Sequence, residues 1–492
     1  MVYLHATEAP KDIGAFAHAL IPDDDLLRVL ANVHQLVKHQ EAAIYNAVLS
    51  HNGLYREQRL RAFEAIKREA DRTTFRLGDA DKLRELFTQR DWAQCLVTVA
   101  GVLTACSTWM QEAAGANSLW NTPSIDASPE FGGGKLMVGA DEPGPVRRAV
   151  KKMDKIRDHD ARSRGVHPFH DGLFLESAVV DGRKLVRQLL EPEIVRQFQK
   201  RYEEKCVKIG LASLSRGADL RGDSVDPIDP DPERPFVMRS TGDVEEQRKH
   251  LRSILERATK DSVSILVLPE LRMPPALLET VEAFLRTENR DAGLLLVAAG
   301  SWHEGDAQNG YVNRCDVLDG FGKKVWSHEK LQEFRISRAN VAKKPQWFRE
   351  QLGVGVEGGV ENIRRGTSLQ FCSTPWGRIA VAICVGFFGK QARPLLEAAR
   401  ADFYLTPSMS PEVTEGLEYA KELVKSHHAV TCLANCGTMA VKEKGCLLEA
   451  SASFVEGPFR LKREVVNLKD GGEDCLHIFD LFHDVRDLDK YL

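Results

Sequence analysis

The sequence has no excess of charge of either sign. Its 67 Lys and Arg stand against 71 Asp and Glu in 492 residues. The broad basic field that nucleic acid or an anionic membrane usually demands is therefore missing, and small molecules or proteins are the expected partners, with no nucleic acid and no membrane among them. No stretch reaches the ~18 uninterrupted apolar residues of a membrane span. The opening MVYLHATEAPKD lacks a basic region followed by an apolar core, so the expectation is a cytoplasmic protein. Cysteine is present, ten times, but not in organised pairs. Cys95, Cys106, Cys384 and Cys432 sit in apolar runs, and Cys432, Cys436 and Cys446 lack zinc-site spacing, which reads as reduced thiols. A phosphate loop is missing too. GFFGKQ near Lys390 has neither the glycine five residues before its Gly-Lys pair nor the Ser or Thr after it. No cofactor and no metal is implied.

The length alone favours about two to four domains. In the first two hundred residues, Pro22-Asp23-Asp24-Asp25 marks a helix start, and Leu26, Leu30, Val33, Val37, Ile44 and Val48 trace one face up to a stop at Asn52-Gly53. One long amphipathic helix is predicted there. Leu60, Phe63 and Ile66 repeat the pattern, as do Leu83, Leu86 and Phe87, followed by the apolar stretch Trp92 to Met110. A helical N-terminal domain over 1–200 is expected, its role unknown, with a flexible loop at about 115–146 where the periodicity dissolves into Asn, Ser, Pro and Gly. The basic run Arg147 to Lys155 reads as a solvated face. His159, His167 and His170 with Asp160 and Asp171 match no metal-ligand spacing and are left outside the candidate site.

Near Cys206 the pattern changes. VKIGLAS reads as a strand, the acidic, proline-punctuated DSVDPIDPDPERP as an inserted loop, Asp243 to Lys260 as a helix, and SILVLPE as a buried strand ending at Glu270. Strand, helix, strand implies a parallel crossover. A helix from Pro275 to Arg286, a strand within Gly293 to Gly300, and two antiparallel strands joined by a Gly320 to Lys323 turn then lead to Lys330. Farther on, GRIAVAICVGFF carries a doubly buried strand to Cys384, and Gln391 to Arg400 returns to helical spacing. A thiol where strand gives way to turn and helix stands beside free backbone N–H groups, a place for a nucleophile.

LVLPE at Leu266 to Glu270, the YVN and GFGKKVWSHEKL segments from Tyr311 to Leu331, and AVAIC at Ala380 to Cys384 together resemble the nitrilase, or carbon–nitrogen hydrolase, superfamily. RADFYLTPSMSP, HHAVTCLANCGT and LLEASASFVEGP add to the likeness, which covers about residues 205–485 and leaves 1–200 untouched. The resemblance implies an α/β fold, an α-β-β-α sandwich, for a domain over 205–492, and a homo-oligomer. It also implies a hydrolase that cleaves a non-peptide carbon–nitrogen bond of a small amide, carbamoyl compound or nitrile. Carried over, Cys384 is the nucleophile that forms a thioester, Glu270 the general base, and Lys330 the stabiliser of the tetrahedral intermediate, with the Val385 N–H sharing that task. Many family members have a further glutamate before the cysteine strand. Glu361 is the closest match, with Glu333 and Glu357 as rivals.

The sequence departs from the family pattern in two places. Val385-Gly386 follow the cysteine where an aromatic or polar residue and a carboxylate are usual, which suggests a smaller, uncharged pocket wall. The long interval ANVAKKPQWFREQLGVGVEGG between Lys330 and Cys384 suggests a lid or partner surface. The competing reading is a silent nitrilase-like module for binding or assembly, with the helical half as its regulator or its route to a protein partner. A Cys/His hydrolase using His303 or His427 finds no matching motif.

Overall fold

The computed structural model describes residues 12–70, 76–87, 91–114, 124–126, 135–138, 173–180, 182–214, 225–227, 234–238, 243–289, 293–306, 308, 310–341, 358–410, 413–427, 429–436, 453–456, 464–466 and 475–481. The basic run at 147–155, the histidine cluster at 159–171, most of the 339–359 interval, Glu357, His428 and Cys446 lie outside them. The chain forms two compact units, Met1–Pro143 with Arg157–Val179, and Gly144–Ile156 with Val180–Leu492.

The first unit is built on helices Ile13–Leu20, Leu26–His39, Glu41–Ser50, Asn52–Glu69 and Trp92–Ala114, with a single turn of helix at Asp81–Arg84. Asp12 caps the first, accepting a hydrogen bond from the Ala15 N–H at 2.9 Å. The single helix predicted across Leu26 to Val48 is interrupted at Gln40, whose φ of −109° and ψ of 23° leave the helical region. Asn52-Gly53 opens the next helix instead of closing the previous one. Leu30, Val33 and Val37 are buried together with Ile44 and Val48, as the apolar spacing requires. Phe16 meets Phe87 and Trp92 edge-on at 5.9 and 5.6 Å. Strands Ser124–Asp126, Lys135–Val138 and Leu173–Val180 pair antiparallel, an element the sequence did not announce.

The second unit contains two large sheets. In the first, Lys208–Ala212, Ile265–Val267 and Leu296–Ala298 run parallel, flanked by Leu476–Asp480 on one side and by Gly310–Asp319, Trp302–Asp306 and Lys324–Glu329 on the other. In the second, the order is Arg183–Gln188, Ser368–Thr374, Gly377–Val381, Phe403–Ser408, Val430–Asn435, Ser453–Glu456, Glu464–Val466. The side-chain period of two separates each strand's burden. Ile265, Val267, Leu296 and Ala298 point into a core shared with Ile379, Val381, Phe403, Leu405 and Val430 of the second sheet. Their neighbours Leu266, Leu268, Val297 and Ala299 pack on Leu251, Ile254, Leu277 and Val281 of helices Val244–Lys260 and Pro275–Thr287. On the second sheet Tyr404 takes the other parity, its hydroxyl donating to the Leu396 carbonyl at 2.6 Å, and its ring 5.9 Å from Phe387, which meets Tyr419 of helix Thr414–His427 edge-on.

The continuous part of this unit begins at Val180, ahead of the expected boundary near 205. Strand Arg183–Gln188 pairs in parallel with Ser368–Thr374, and helix Pro192–Glu203 sets Ile194, Val195 and Phe198 in the core between the sheets. The Trp376 indole donates to the Phe198 carbonyl at 2.9 Å and meets its ring at 88°. These contacts join residues far apart in sequence, so helical spacing alone could not assign the helix to this unit. A small third sheet, Arg335–Ser337, Gly358–Glu361, Arg234–Met238 and Val225–Pro227, completes the surroundings of the site.

Candidate functional site

Two of the sequence-selected residues stand in equivalent places. Glu270 lies three residues past the parallel strand ending at Val267, and Cys384 three past the one ending at Val381. Both strands end sooner than the sequence suggested. The chain turns through unusual backbone at each, with Leu271 at φ 55° and Cys384 at φ 45°, conformations that cost non-glycine residues about 1–3 kcal/mol and collect at functional sites. Gly300 makes room for the glutamate turn. With φ 68°, it sits where a Cβ would fall 2.4 Å from the Pro269 carbonyl. Ser301 then holds the turn by accepting at Oγ from the Leu271 N–H and at its carbonyl from the Met273 N–H.

The end of strand Phe403–Ser408 joins the two turns. The Cys384 N–H donates to the Pro407 carbonyl at 2.8 Å and the Glu270 N–H to the Ser408 carbonyl at 3.3 Å. The Ser408 hydroxyl donates to Cys384 Sγ at 3.5 Å, and the Met409 N–H donates to Glu270 Oε2 at 3.0 Å. Asn435 and Ser410 exchange two hydrogen bonds that brace this segment.

Lys330 follows strand Lys324–Glu329 directly, its own N–H bonded to the Asn313 carbonyl. Its ammonium donates to Glu270 Oε1 at 2.7 Å and to Glu361 Oε2 at 2.6 Å. An ammonium has three donors, so one remains for a ligand. Glu361 is the second carboxylate that this ammonium meets. Of its rivals, Glu333 is engaged by Arg365 at 2.7 Å and Arg335 at 2.9 Å. Glu270, Lys330, Glu361 and Cys384 are each at most 3 % exposed and border one pocket with Phe236, Leu271, Phe334 and Met409. Val385 opens the short helix Val385–Phe388, so its N–H belongs to a first turn, whose donors have no intrahelical acceptor.

Burial shapes the electrostatics. It disfavours the charge on Lys330, but the carboxylates of Glu270 and Glu361 outweigh it, and the ammonium is held well above its ordinary value. Glu361 is held far down in turn, because Lys330 and His303 outweigh its desolvation. The Cys384 thiol is pushed up to about 12, first by burial and then by the charge of Glu270 and its hydrogen bond to the thiol, against the smaller pull of Lys330 and Ser408. Lysine and helix do not make a standing thiolate here. The Cys384 side chain rests as a neutral thiol facing a carboxylate.

Two residues of the site escaped the sequence reading in that role. Asn313 donates to Glu270 Oε1 at 2.9 Å and to Glu361 Oε1 at 2.8 Å, and His303 meets Glu361 Oε1 at 2.8 Å. A signal existed for the first. Tyr311, Asn313 and Cys315 share the buried parity of their strand, and a polar side chain in that series demands partners. His303, considered as a base for Cys384, serves the second glutamate. Gly386 also finds its reason: a Cβ there would sit 3.3 Å from the Leu331 N and 3.7 Å from Lys330 Cγ, so the small residue admits the lysine stretch. Among the described residues no cluster of ligating side chains could hold a metal ion, and no helix is long and apolar enough to cross a membrane.

No family model matches the chain, and no curated protein does. Among solved structures it is similar to Nit3 of Saccharomyces cerevisiae, a member of branch 10 of the nitrilase superfamily, at 17% identity over 58% of this chain and 92% of that one, with a TM-score of 0.37. It is also similar to an amidase from Nesterenkonia sp. AN1, at 17% identity over 57% of this chain and 96% of that one, with a TM-score of 0.34. A variant of that amidase carrying an acetamide moiety on its active-site cysteine matches at 16% identity over 56% and 90%, with a TM-score of 0.34.

Proposed function

We propose that the second unit is a four-layered α-β-β-α hydrolase that cleaves a carbon–nitrogen bond of a small amide through a thioester on Cys384. One observation carries the reading: a thiol, a carboxylate and an ammonium, from three separate loops, converge on one buried pocket with Lys330 Nζ 2.7 Å from Glu270 Oε1. The site holds its thiol protonated, so attack requires a base in contact with it, and Glu270 is that base. As Glu270 takes the proton, Sγ bonds the amide carbon and the carbonyl π pair moves to oxygen. The third Lys330 N–H and the Val385 N–H receive that oxyanion. Collapse expels the amine, to which Glu270 returns the proton, and leaves the thioester.

Water then takes the amine's place. Glu270 removes its proton, the hydroxide adds to the thioester carbon, and the thiolate departs to be reprotonated by Glu270. The sum is amide plus water giving acid plus ammonia or amine. Glu361 never meets the reacting carbon in this scheme. Its task, with Asn313 and His303, is to hold Lys330 charged and in position. The first unit supplies none of these groups and is read as a separate folding element that governs access or assembly.

The test is ammonia release from simple amides by the full chain, with intact-mass detection of an acyl group on Cys384. An adduct and turnover that both vanish in Cys384→Ala support the proposal. Absence of both in the parent protein would leave a silent binding module as the reading.

A further inference from the structure

Among the described residues, four that take no part in the proposed reaction border the pocket, Phe236, Leu271, Phe334 and Met409, all apolar. Each is fastened by the backbone to a reactive carboxylate. Leu271 adjoins Glu270, and the Met409 N–H donates to Glu270 Oε2 at 3.0 Å. The Phe334 N–H donates to Glu361 Oε2 at 2.9 Å, and its carbonyl accepts from the Glu361 N–H at 2.8 Å. Phe236 lies opposite Glu361 in a parallel pair, its carbonyl accepts from the Asn362 N–H, and its ring meets Phe334 at 6.3 Å in an edge contact. The apolar wall therefore cannot move away from the reacting atoms without disturbing the site itself. Phe334 and Met409 are half-buried and form the lip, while Leu271 and Phe236 are buried within.

The charges point the same way. Two carboxylates, Glu270 and Glu361, border the pocket beside one ammonium, Lys330, and Glu361 also holds His303. An acyl chain bearing its own carboxylate would meet those two carboxylates and would lose its water against four apolar side chains, with no cation besides Lys330 among the described lining residues. An acyl chain bearing an ammonium would be attracted by the carboxylates but would be desolvated by the same wall.

We infer that the site, on the hydrolase reading above, is selective for amides whose acyl group is short, neutral and apolar, with the Phe236 and Phe334 pair as the specificity-determining residues. The test uses three amides of equal chain length on the full protein: pentanamide, glutaramate and 5-aminopentanamide. The expected kcat/KM for pentanamide exceeds that of either charged analogue by about tenfold or more. In Phe236→Ala the margin over glutaramate should shrink several-fold. Alkylation of Cys384 by iodoacetamide and iodoacetate gives a readout independent of turnover. The ratio of their rates, divided by the same ratio for free glutathione, should exceed one. Turnover that favours glutaramate or 5-aminopentanamide would overturn the inference and leave the hydrolase reading standing. Absence of turnover with all three amides would instead sink the hydrolase reading, and the alkylation ratio would still decide whether the pocket rejects charge.

Discussion

His303 and Asn313 occupy one rung of an antiparallel ladder, and both reach the same oxygen of Glu361, each at 2.8 Å. Asn313 also spans to Glu270, so a single amide nitrogen ties together the two carboxylates that hold Lys330. Substituting Asn313→Leu removes two charge-assisted hydrogen bonds from a fully buried place, and each is worth about 1.5–3 kcal/mol where a charged partner is left behind. The expected result is a lowered urea midpoint with loss of turnover. An unchanged midpoint would mean that the carboxylates find other partners.

The backbone at Cys384, φ 45° and ψ −119°, suits glycine better than any residue with a Cβ. Cys384→Gly should therefore be more stable than Cys384→Ala by about 1 kcal/mol, the reverse of the order expected in relaxed backbone, where glycine is penalised. Chemical denaturation of the two inactive variants side by side gives the comparison. Alanine as the more stable variant would show that the turn is not strained.

Substituting Glu270→Gln should separate thiol ionisation from catalysis. The Glu270 charge is one of the causes that raise the Cys384 thiol to about 12, and Lys330 acts in the opposite direction. Removing that charge leaves the ammonium's influence less opposed, so the pH midpoint of alkylation by iodoacetamide should move down. Amide turnover should nevertheless fall by on the order of 10²–10⁴-fold, since the base is gone. A variant that is both less ionised and less active would mean that Glu270 does not face the thiol.

Acid sensitivity has a traceable source in Glu333. Burial pushes its carboxyl up, but Arg365 and Arg335 outweigh this and hold it at about 2 against an ordinary 4.5. A depressed carboxyl contributes stability that is complete above its unfolded value and is lost as pH falls through the folded one. Glu361 acts in the same direction. The urea midpoint should decline as pH drops from about 4.5 toward 2, and Glu333→Gln should flatten that decline while lowering the midpoint at neutral pH.

Glu270 and Cys384 were legible because each closes an apolar run, a break in the pattern that is visible without coordinates. Lys330 follows Ser327-His328-Glu329, so no apolar run marks it, and only the resemblance of its segment pointed to it. Glu361 was harder, since its strand, Gly358–Glu361, has no apolar run to mark it, and the choice over Glu333 rests on which carboxylate arginines occupy. Asn313 and His303 depend on register, a relation between strands that no single segment records. Ser408 and Met409 act partly through backbone atoms, whose partners side-chain identity does not reveal. The membership of helix Pro192–Glu203 was hidden for the same reason as the register, because Phe198 finds Trp376 across a long stretch of chain.

The two carboxylates beside Lys330 bear on the end of the proposed reaction as well as its beginning. The substrate arrives neutral, but the acid it becomes ionises beside Glu270 and Glu361 in a pocket whose other described lining residues, Lys330 and Cys384 aside, are apolar. The same contacts that admit the amide repel the carboxylate. The chemistry would thus help to empty its own site, with departure of the product favoured by repulsion from the two carboxylates and by rehydration.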